Sequence, residues 1–349
     1  METKVITIDY KSIDEEVLQQ AGLVIKKGGL VAFPTETVYG LGGDALNKES
    51  SRKIYEAKGR PSDNPLIIHI CNMEDLKPIV EEIPEDVYRL AEAFWPGPLT
   101  IIMRKSELVP KETTGGLNTV AVRMPSHPVA QKFIEYAGGY VAAPSANVSG
   151  RPSPTKAKYV IEDMTGRIDM ILDGDGIDIG LESTIIDMTG EIPMVLRPGY
   201  ITSDMLEKVL GEVQVDKTIL DINCKEPPKA PGMRYRHYAP KGQLTIVEGE
   251  IVQTIKKINE LTEEAHSKGE KVGIIGTEET RNQYLGDSIK SVGKRRDEES
   301  IARTLYTILR EFDDEDVTVI YSESFSECGM GQAIMNRLLK AAGHNIIRL

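Results

Sequence analysis

Two spacings of apolar residues alternate along this chain, and they predict its elements. Residues 5–8 and 30–33 are short apolar runs of strand length. Between them Ile13, Val17, Leu18, Ala21, Val24 and Ile25 recur at helical spacing, and Gly28-Gly29 stops that helix. Residues 34–43, rich in hydroxyls and glycines, read as a loop. A helix is predicted over 48–57, then a loop at 58–65 punctuated by Gly59, Pro61 and Pro65, then a strand at 66–70. Two helical segments follow, ending at Phe94-Trp95-Pro96-Gly97-Pro98. Strands are predicted at 99–103, 120–124 and 140–143, with a loop at 113–119 and a helix around 129–136. A long polar loop, 144–155, precedes short strands at 170–172, 183–188 and 194–196. Thr202 caps a helix running to Leu210.

Residues 211–243 lose this periodicity. They contain Pro227-Pro228 and Pro231-Gly232 and end in Arg234-Tyr235-Arg236-His237-Tyr238-Ala239-Pro240, which reads as an inter-domain linker with a basic-aromatic tail. Beyond Lys241, strands at 244–247, 272–275, 289–292, 317–321 and 346–348 alternate with helices at 251–266, 299–312 and 331–342. That alternation implies a Rossmann-like, mostly parallel sheet. With 349 residues, too many for one ordinary core, the expected division is 1–210, a linker at 211–243, and 244–349.

Composition narrows the function classes. Net charge is −12, and residues 1–210 hold 22 Lys+Arg against 31 Asp+Glu, so no bulk positive charge favours non-specific nucleic-acid binding. Cys71, Cys224 and Cys328 are far apart and form no CxxC pair. No apolar run reaches membrane-spanning length, and residues 1–16 lack the layout of a signal peptide, so a reducing cytoplasm is the expected compartment.

Metal and nucleophile signatures are missing. The sequence has no HExxH, no GxxxxGK[ST], no GxSxG and no Cys-rich zinc spacing, and only five His. Gly273-Ile274-Ile275-Gly276 is not GxGxxG. What stands out is a set of loops at strand ends carrying Lys58, Arg60, Arg123, Arg151 and Arg197 among hydroxyls and amides. In Lys58-Gly59-Arg60-Pro61-Ser62-Asp63-Asn64-Pro65, an extended backbone would aim both cations to one side. Lys would act as a point charge and Arg as a planar fork, a combination suited to polyphosphate; a solvated turn is the plainer reading of the octet alone. His69 sits in an apolar strand, where a packed core histidine is as good a reading as a ligand-binding one. Trp95, the only tryptophan, reads as a packing anchor at a turn. Together the loops suit chemistry run by positioning and electrostatics, as in phosphoryl or nucleotidyl transfer.

Taken together the loops resemble one family. FPTETVYGLG at 33–42, KGRPSDNPL at 58–66, WPGPLT at 95–100, VAVRMP at 120–125, APSAN at 143–147, RPSPT at 151–155, ESTI at 182–185 and RPG at 197–199 are similar to the YrdC/YwlC family of L-threonylcarbamoyladenylate synthases. PGMRYRHYAP at 231–240 and GMGQAIMNRLLKAA at 329–342 resemble the linker and C-terminal domain of its two-domain form. The resemblance implies an α/β protein: a YrdC-like twisted mixed sheet with flanking helices, then a Rossmann-like domain. It implies formation of threonylcarbamoyl-AMP and pyrophosphate from L-threonine, bicarbonate and ATP with Mg²⁺. The product would feed a downstream tRNA threonylcarbamoyl transferase complex, with no direct tRNA binding required and no membrane. It gives Lys58 and Arg60 catalytic roles and makes Lys58, Arg60, Asn64, Thr119, Ser145, Asn147, Ser153, Arg197 and Tyr235 ATP contacts, with Tyr235 covering the nucleotide. It makes Thr35, His69, Arg123 and Ser183 threonine contacts, Arg123 pairing with the carboxylate, and it implies no resident metal ligands. Two rival readings are an RNA-binding or ribosome-maturation protein with a YrdC-like cleft, and a hydrogenase-maturation carbamoyltransferase. The latter carries acylphosphatase and Cys-rich zinc modules, and neither is visible in this sequence.

Overall fold

The structure, a computed structural model, describes residues 1–174, 176–216, 219 and 238–349. It divides into two units. One holds Met1–Ser149, Ser153–Asp178 and the described residues from Glu182 to 219; the other holds Gly150–Pro152, Ile179–Leu181 and the described residues from 238 onward.

The strands of the first unit are β1 (Lys4–Ile8), β2 (Val31–Phe33), β3 (Gly40–Asp44), β4 (Ile67–His69), β5 (Leu99–Arg104), β6 (Thr119–Arg123), β7 (Val141–Ala142), β8 (Met170–Gly174), β9 (Thr184–Asp187), β10 (Met194–Arg197) and β11 (Gln214–Val215). They form one mixed sheet in the order β1-β8-β2-β3-β7-β4-β6-β5-β9-β10-β11. The helices are α1 (Glu15–Lys26), α2 (Lys48–Lys58), α3 (Glu85–Phe94), α4 (Pro128–Ala137), α5 (Ala157–Met164) and α6 (Ser203–Leu210).

Period-2 alternation sorts the strand residues between two faces. Val31 and Phe33 of β2, with Met170 and Leu172 of β8, pack against Leu18, Ala21 and Ile25 of α1 and Phe133 and Ile134 of α4. The alternate residues Ala32 and Ile171, with Ile68, Val122, Ile101 and Ile186 from the neighbouring strands, pack with Ile54 of α2, Leu90 of α3, Val160 of α5 and Leu206 of α6. Ile67, Ile102, Ala121, Ile185 and Leu196 form a third, smaller cluster built of strand residues alone. It prepares the ground for the site, because every second residue along those strands shares its face.

Caps and turns follow the residue chemistry. Asp14 accepts from Glu16 N and Val17 N at the start of α1, and Thr202 accepts from Met205 N at the start of α6, as predicted. Trp95 is buried and donates its indole N–H to Leu99 O at 2.7 Å, in keeping with an anchor role.

Several expectations need correction. The glycine-rich stretch read as loop supplies β3, antiparallel to β2 with Phe33 opposite Gly40. A Cβ at Gly42 would lie 2.9 Å from Val141 Cγ1, so the tight packing of its neighbours selects glycine inside a strand. Lys58 ends α2 rather than lying in a loop, and Gly59 follows as a left-handed C-cap with φ 61°. The backbone between Lys58 and Arg60 is therefore not extended, and the spacing argument for parallel cations fails. Arg197 is the last residue of β10, one residue beyond the predicted end of that strand. Gln214 and Val215, within the stretch read as linker, add β11 to the sheet beside β10. The first of the two helical segments before Trp95 is 3-10 turns at Met73–Ile79 with Pro78 inside.

In the second unit β12 (Gln243–Glu248), β13 (Val272–Gly276), β14 (Ser288–Ser291), β15 (Val319–Glu323) and β16 (Ile346–Arg348) lie in the order β14-β13-β15-β12-β16. Every pairing is parallel, with α7 (Ile251–Ser267), α8 (Glu298–Asp314) and α9 (Met330–Ala341) as crossovers. The strand–helix alternation predicted this sheet with boundaries shifted by one or two residues.

Candidate active site

The predicted residues of the first unit gather at two ends of the same strands. His69 of β4 pairs in register with Arg123 of the parallel β6, and Arg123 faces Thr100 of β5. Thr100 pairs with Ile185 of β9, and Ile185 with Arg197 of β10. This row continues the face that carries Ile67, Ala121, Ile102 and Ile185, so polar side chains appear where the apolar cluster stops. Four residues away along β6, or about 13 Å of strand, stands Thr119. At that end, just before β4, are Lys58, Arg60 and Asn64. Ser145 and Asn147 follow β7 at the same end, where Ala143 N donates to Ile67 O.

At the Thr119 end, α2 delivers Lys58 into a buried position. Its ammonium donates to Ser145 O and, at 2.6 Å, to Asn147 O. Ser145 Oγ in turn donates to Asn147 Oδ1 at 2.6 Å. One lysine thus joins the two predicted phosphate-holding motifs. Arg60 turns back on its own loop and donates to Pro65 O at 3.0 Å and Asn64 O at 3.3 Å. Tyr55 braces that loop from α2 by donating to Asn64 O, and burial pushes its phenol up to about 12. Asn64 itself is buried, and among the described residues its Oδ1 has no hydrogen-bond partner. Thr119 is half-buried at the start of β6.

At the other end, Arg123 is almost fully buried. Its Nη1 donates to Thr37 Oγ1 at 2.9 Å, and its Nη2 lies 2.7 Å from Glu36 Oε1. Thr35 Oγ1 donates to Val38 O, so the Thr35–Thr37 contact at 2.9 Å takes its proton from Thr37. The 34–39 loop spans both ends: besides these bonds, Tyr39 N donates to Pro154 O and Ala146 N to Tyr39 O. Ser183 Oγ bonds Thr100 Oγ1 at 2.7 Å and accepts from Arg197 Nη2 at 3.1 Å, while Arg197 Nε donates to Ser183 O at 3.0 Å. Ser153 Oγ donates to Glu182 Oε1 at 2.6 Å. Arg197, grouped with the nucleotide contacts in the sequence reading, is therefore clamped to Ser183 in the threonine group. Tyr235 lies outside the described residues, and Arg151 falls in the second unit.

Gly199 sets the position of Ser183. A Cβ there would stand 2.5 Å from Thr184 N and 2.8 Å from Ser183 C, both backbone atoms that cannot rotate away. Gly199→Ala is expected to displace Ser183 and lower kcat/KM about tenfold to a hundredfold, since small misplacements of positioning groups carry costs of that order. Steady-state kinetics on the folded variant checks this.

His69 packs edge-on to Phe33, at 6.3 Å between ring centroids, with Nδ1 3.2 Å from Ile67 O. Burial, and then the charge of Arg123, lower its pKa to about 3 from the ordinary 6.5. It is neutral at physiological pH, able to accept or donate one hydrogen bond but not to supply charge. Because the unfolded chain takes up this proton first, stability is full above about pH 6.5 and falls with pH down to about 3. At about pH 5 the loss is on the order of 2 kcal/mol. Urea titrations at two pH values check it: His69→Asn should show a correspondingly smaller pH dependence.

Glu36, Thr37, Thr100 and Glu182 belong to these clusters and were not singled out from the sequence. All four do stand inside the quoted motifs, Glu36 and Thr37 in FPTETVYGLG, Thr100 in WPGPLT and Glu182 in ESTI. Nothing local couples Glu36 to Arg123, which only the fold brings beside it.

Comparison with known proteins gives a consistent result. The Sua5/YciO/YrdC family model, described as telomere recombination, matches residues 23–199, and the threonylcarbamoyl-AMP synthase C-terminal domain matches 201–343. A threonylcarbamoyl-AMP synthase of Pyrococcus abyssi is 48% identical over 97% of both chains, and one of Bacillus subtilis is 47% identical over 97% of both. The crystal structure of P. abyssi Sua5 complexed with L-threonine superposes with a TM-score of 0.94 at 46% identity, covering 99% of this chain and 100% of that one. With the site clusters in one unit and likeness along nearly its whole length, this chain belongs to the Sua5/YciO/YrdC family of threonylcarbamoyl-AMP synthases.

Proposed function

We propose that this protein is an L-threonylcarbamoyladenylate synthase, a nucleotidyltransferase that joins L-threonine, bicarbonate and ATP into threonylcarbamoyl-AMP with release of pyrophosphate. The observation that carries this reading is the buried row His69–Arg123–Thr100 with Ser183 beside it, in a chain whose full-length structural counterpart is a complex with L-threonine. In this reading the first unit, including β11, is the catalytic domain and residues 244–349 are a Rossmann-like domain. The protein works in the cytoplasm and supplies a downstream transferase that modifies tRNA, without itself binding tRNA.

Threonine's carboxylate lies on Arg123, with Thr35, His69 and Ser183 around the rest of the molecule. The nucleotide runs toward the Thr119 end, past Lys58, Arg60, Ser145 and Asn147. Asn64 Oδ1, a buried acceptor with no donor among the described residues, suits a donor group of the ligand. The amine and bicarbonate form a carbamate. A carbamate oxygen then bonds to the α-phosphorus of ATP as the bond to the pyrophosphate oxygen breaks. Lys58 and Arg60 offset charge developing on the phosphates. No side chain forms a covalent intermediate. In this reading Mg²⁺ enters as part of the substrate, carried on the phosphates of ATP.

The test is isotopic. Labelled bicarbonate should pass into an AMP-bearing product only when L-threonine is present. Incorporation supported by carbamoyl phosphate in place of threonine and bicarbonate would instead favour the carbamoyltransferase reading.

A further inference from the structure

Glu36 is buried to more than nine-tenths, on the loop that crosses from one end of the site to the other. Its Oε1 approaches Arg123 Nη2 at 2.7 Å, yet the angles are wrong for a hydrogen bond. Among the described residues neither carboxylate oxygen has a hydrogen-bond donor, and Arg123 Nε, also buried, has no acceptor. A purely structural ion pair in such a place would be expected to use the guanidinium fork, because leaving a buried charged atom unmatched is costly. Here an acceptor and a donor are left open side by side, and together they carry no net charge. A ligand that completes both must bring a cationic donor and an anionic acceptor on neighbouring atoms. An α-amino acid zwitterion has that form.

We infer that Glu36 receives the α-ammonium of the substrate amino acid and takes its proton, while Arg123 receives the carboxylate. The inference rests on the threonine-binding reading of Arg123 given above. An ammonium has no lone pair with which to attack carbon. Transfer of one N–H proton to Glu36 leaves a neutral amine and a carboxylic acid. The amine nitrogen then bonds to the carbon of bicarbonate. The C–OH bond breaks, the departing hydroxide takes the second amine proton as water, and the carbamate remains. Glu36 returns its proton to water before the next turnover. Engagement of Arg123 by the substrate carboxylate also frees Glu36 from its misaligned pairing, so carboxylate and amine recognition are coupled. Arg123 on β6 faces Glu36, and His69 on β4 pairs in register with Arg123. His69 is neutral throughout the working range.

The experiment compares Glu36→Gln with the wild-type protein at saturating ATP and bicarbonate, reading kcat/KM for L-threonine from about pH 7 to about pH 9.5. The variant is expected to lose about 100-fold at pH 7. It should recover about tenfold per pH unit as solvent deprotonates the amine, approaching the wild-type value at the top of the range. Wild-type activity at pH 7 would overturn the assignment. So would a loss of equal depth at every pH, because that marks a structural role. Should Glu36→Gln not fold, Glu36→Asp carries the test: it keeps the carboxylate, so reduced activity with the wild-type pH profile is expected, and alkaline rescue would contradict the proposal. Arg123→Lys, run in parallel, separates the two levels of the argument. If it too leaves the threonine dependence unchanged, the threonine site itself is misplaced; if only Arg123→Lys raises KM for threonine, the Glu36 inference alone fails.

Discussion

Lys58→Ala is expected to lower turnover about 1,000-fold while leaving threonine binding nearly unchanged. The lysine is fully enclosed, and its ammonium holds Ser145 O and Asn147 O, so it fixes the loop that carries both predicted nucleotide-binding side chains. It is also the charge placed to meet ATP at the end of the site away from Arg123. Removing a preorganised charge from a water-poor site costs catalysis on this scale, and Arg60, which turns back on its own loop, does not replace it. The threonine group lies at the other end of the strands, where Arg123 bonds Thr37 and Ser183 bonds Thr100. Steady-state kinetics with equilibrium binding of labelled threonine checks both halves. Near-normal turnover would remove Lys58 from the mechanism.

Arg123→Ala should act on the opposite substrate. We expect KM for threonine to rise at least about 100-fold, a cost of about 3 kcal/mol, which is within the range for losing one partner of a buried charge pair. The substitution also leaves Glu36 buried without a counter-charge and frees Thr37, so the variant should melt at a lower temperature. The binding effect is separated from the folding effect by ATP affinity, which the distant Lys58–Ser145–Asn147 group should preserve in the folded fraction. An unchanged threonine dependence would contradict the role given to Arg123.

These two arginine and lysine sites show how far the residues could be read in order. The strands at 66–70, 99–103 and 120–124 were legible because short apolar runs between turn signals have few alternatives. The pairing of His69, Arg123 and Thr100 across three strands was not, since register is set by tertiary contacts far along the chain. The position of Lys58 was misread for a local reason. A helix of good formers followed by Gly59 is a helix with a glycine cap, and that signal outweighed the one given by Pro61. The glycines of β3 pointed to a loop on propensity alone, whereas packing against Val141 and Phe33 needs their lack of side chains. Membership in the site was least clear for Glu36, although it stands inside a quoted motif. Its part depends on a partner that only the folded sheet supplies.

The most direct measurement of the central claim is pyrophosphate release from ATP with L-threonine and bicarbonate each omitted in turn. The account predicts release only when both are present, with omission of either reducing it to background. Release that needs neither, or none with all three supplied, would contradict the synthase assignment; in the latter case strongly salt-dependent RNA binding would point to the YrdC-like cleft as a binding surface instead.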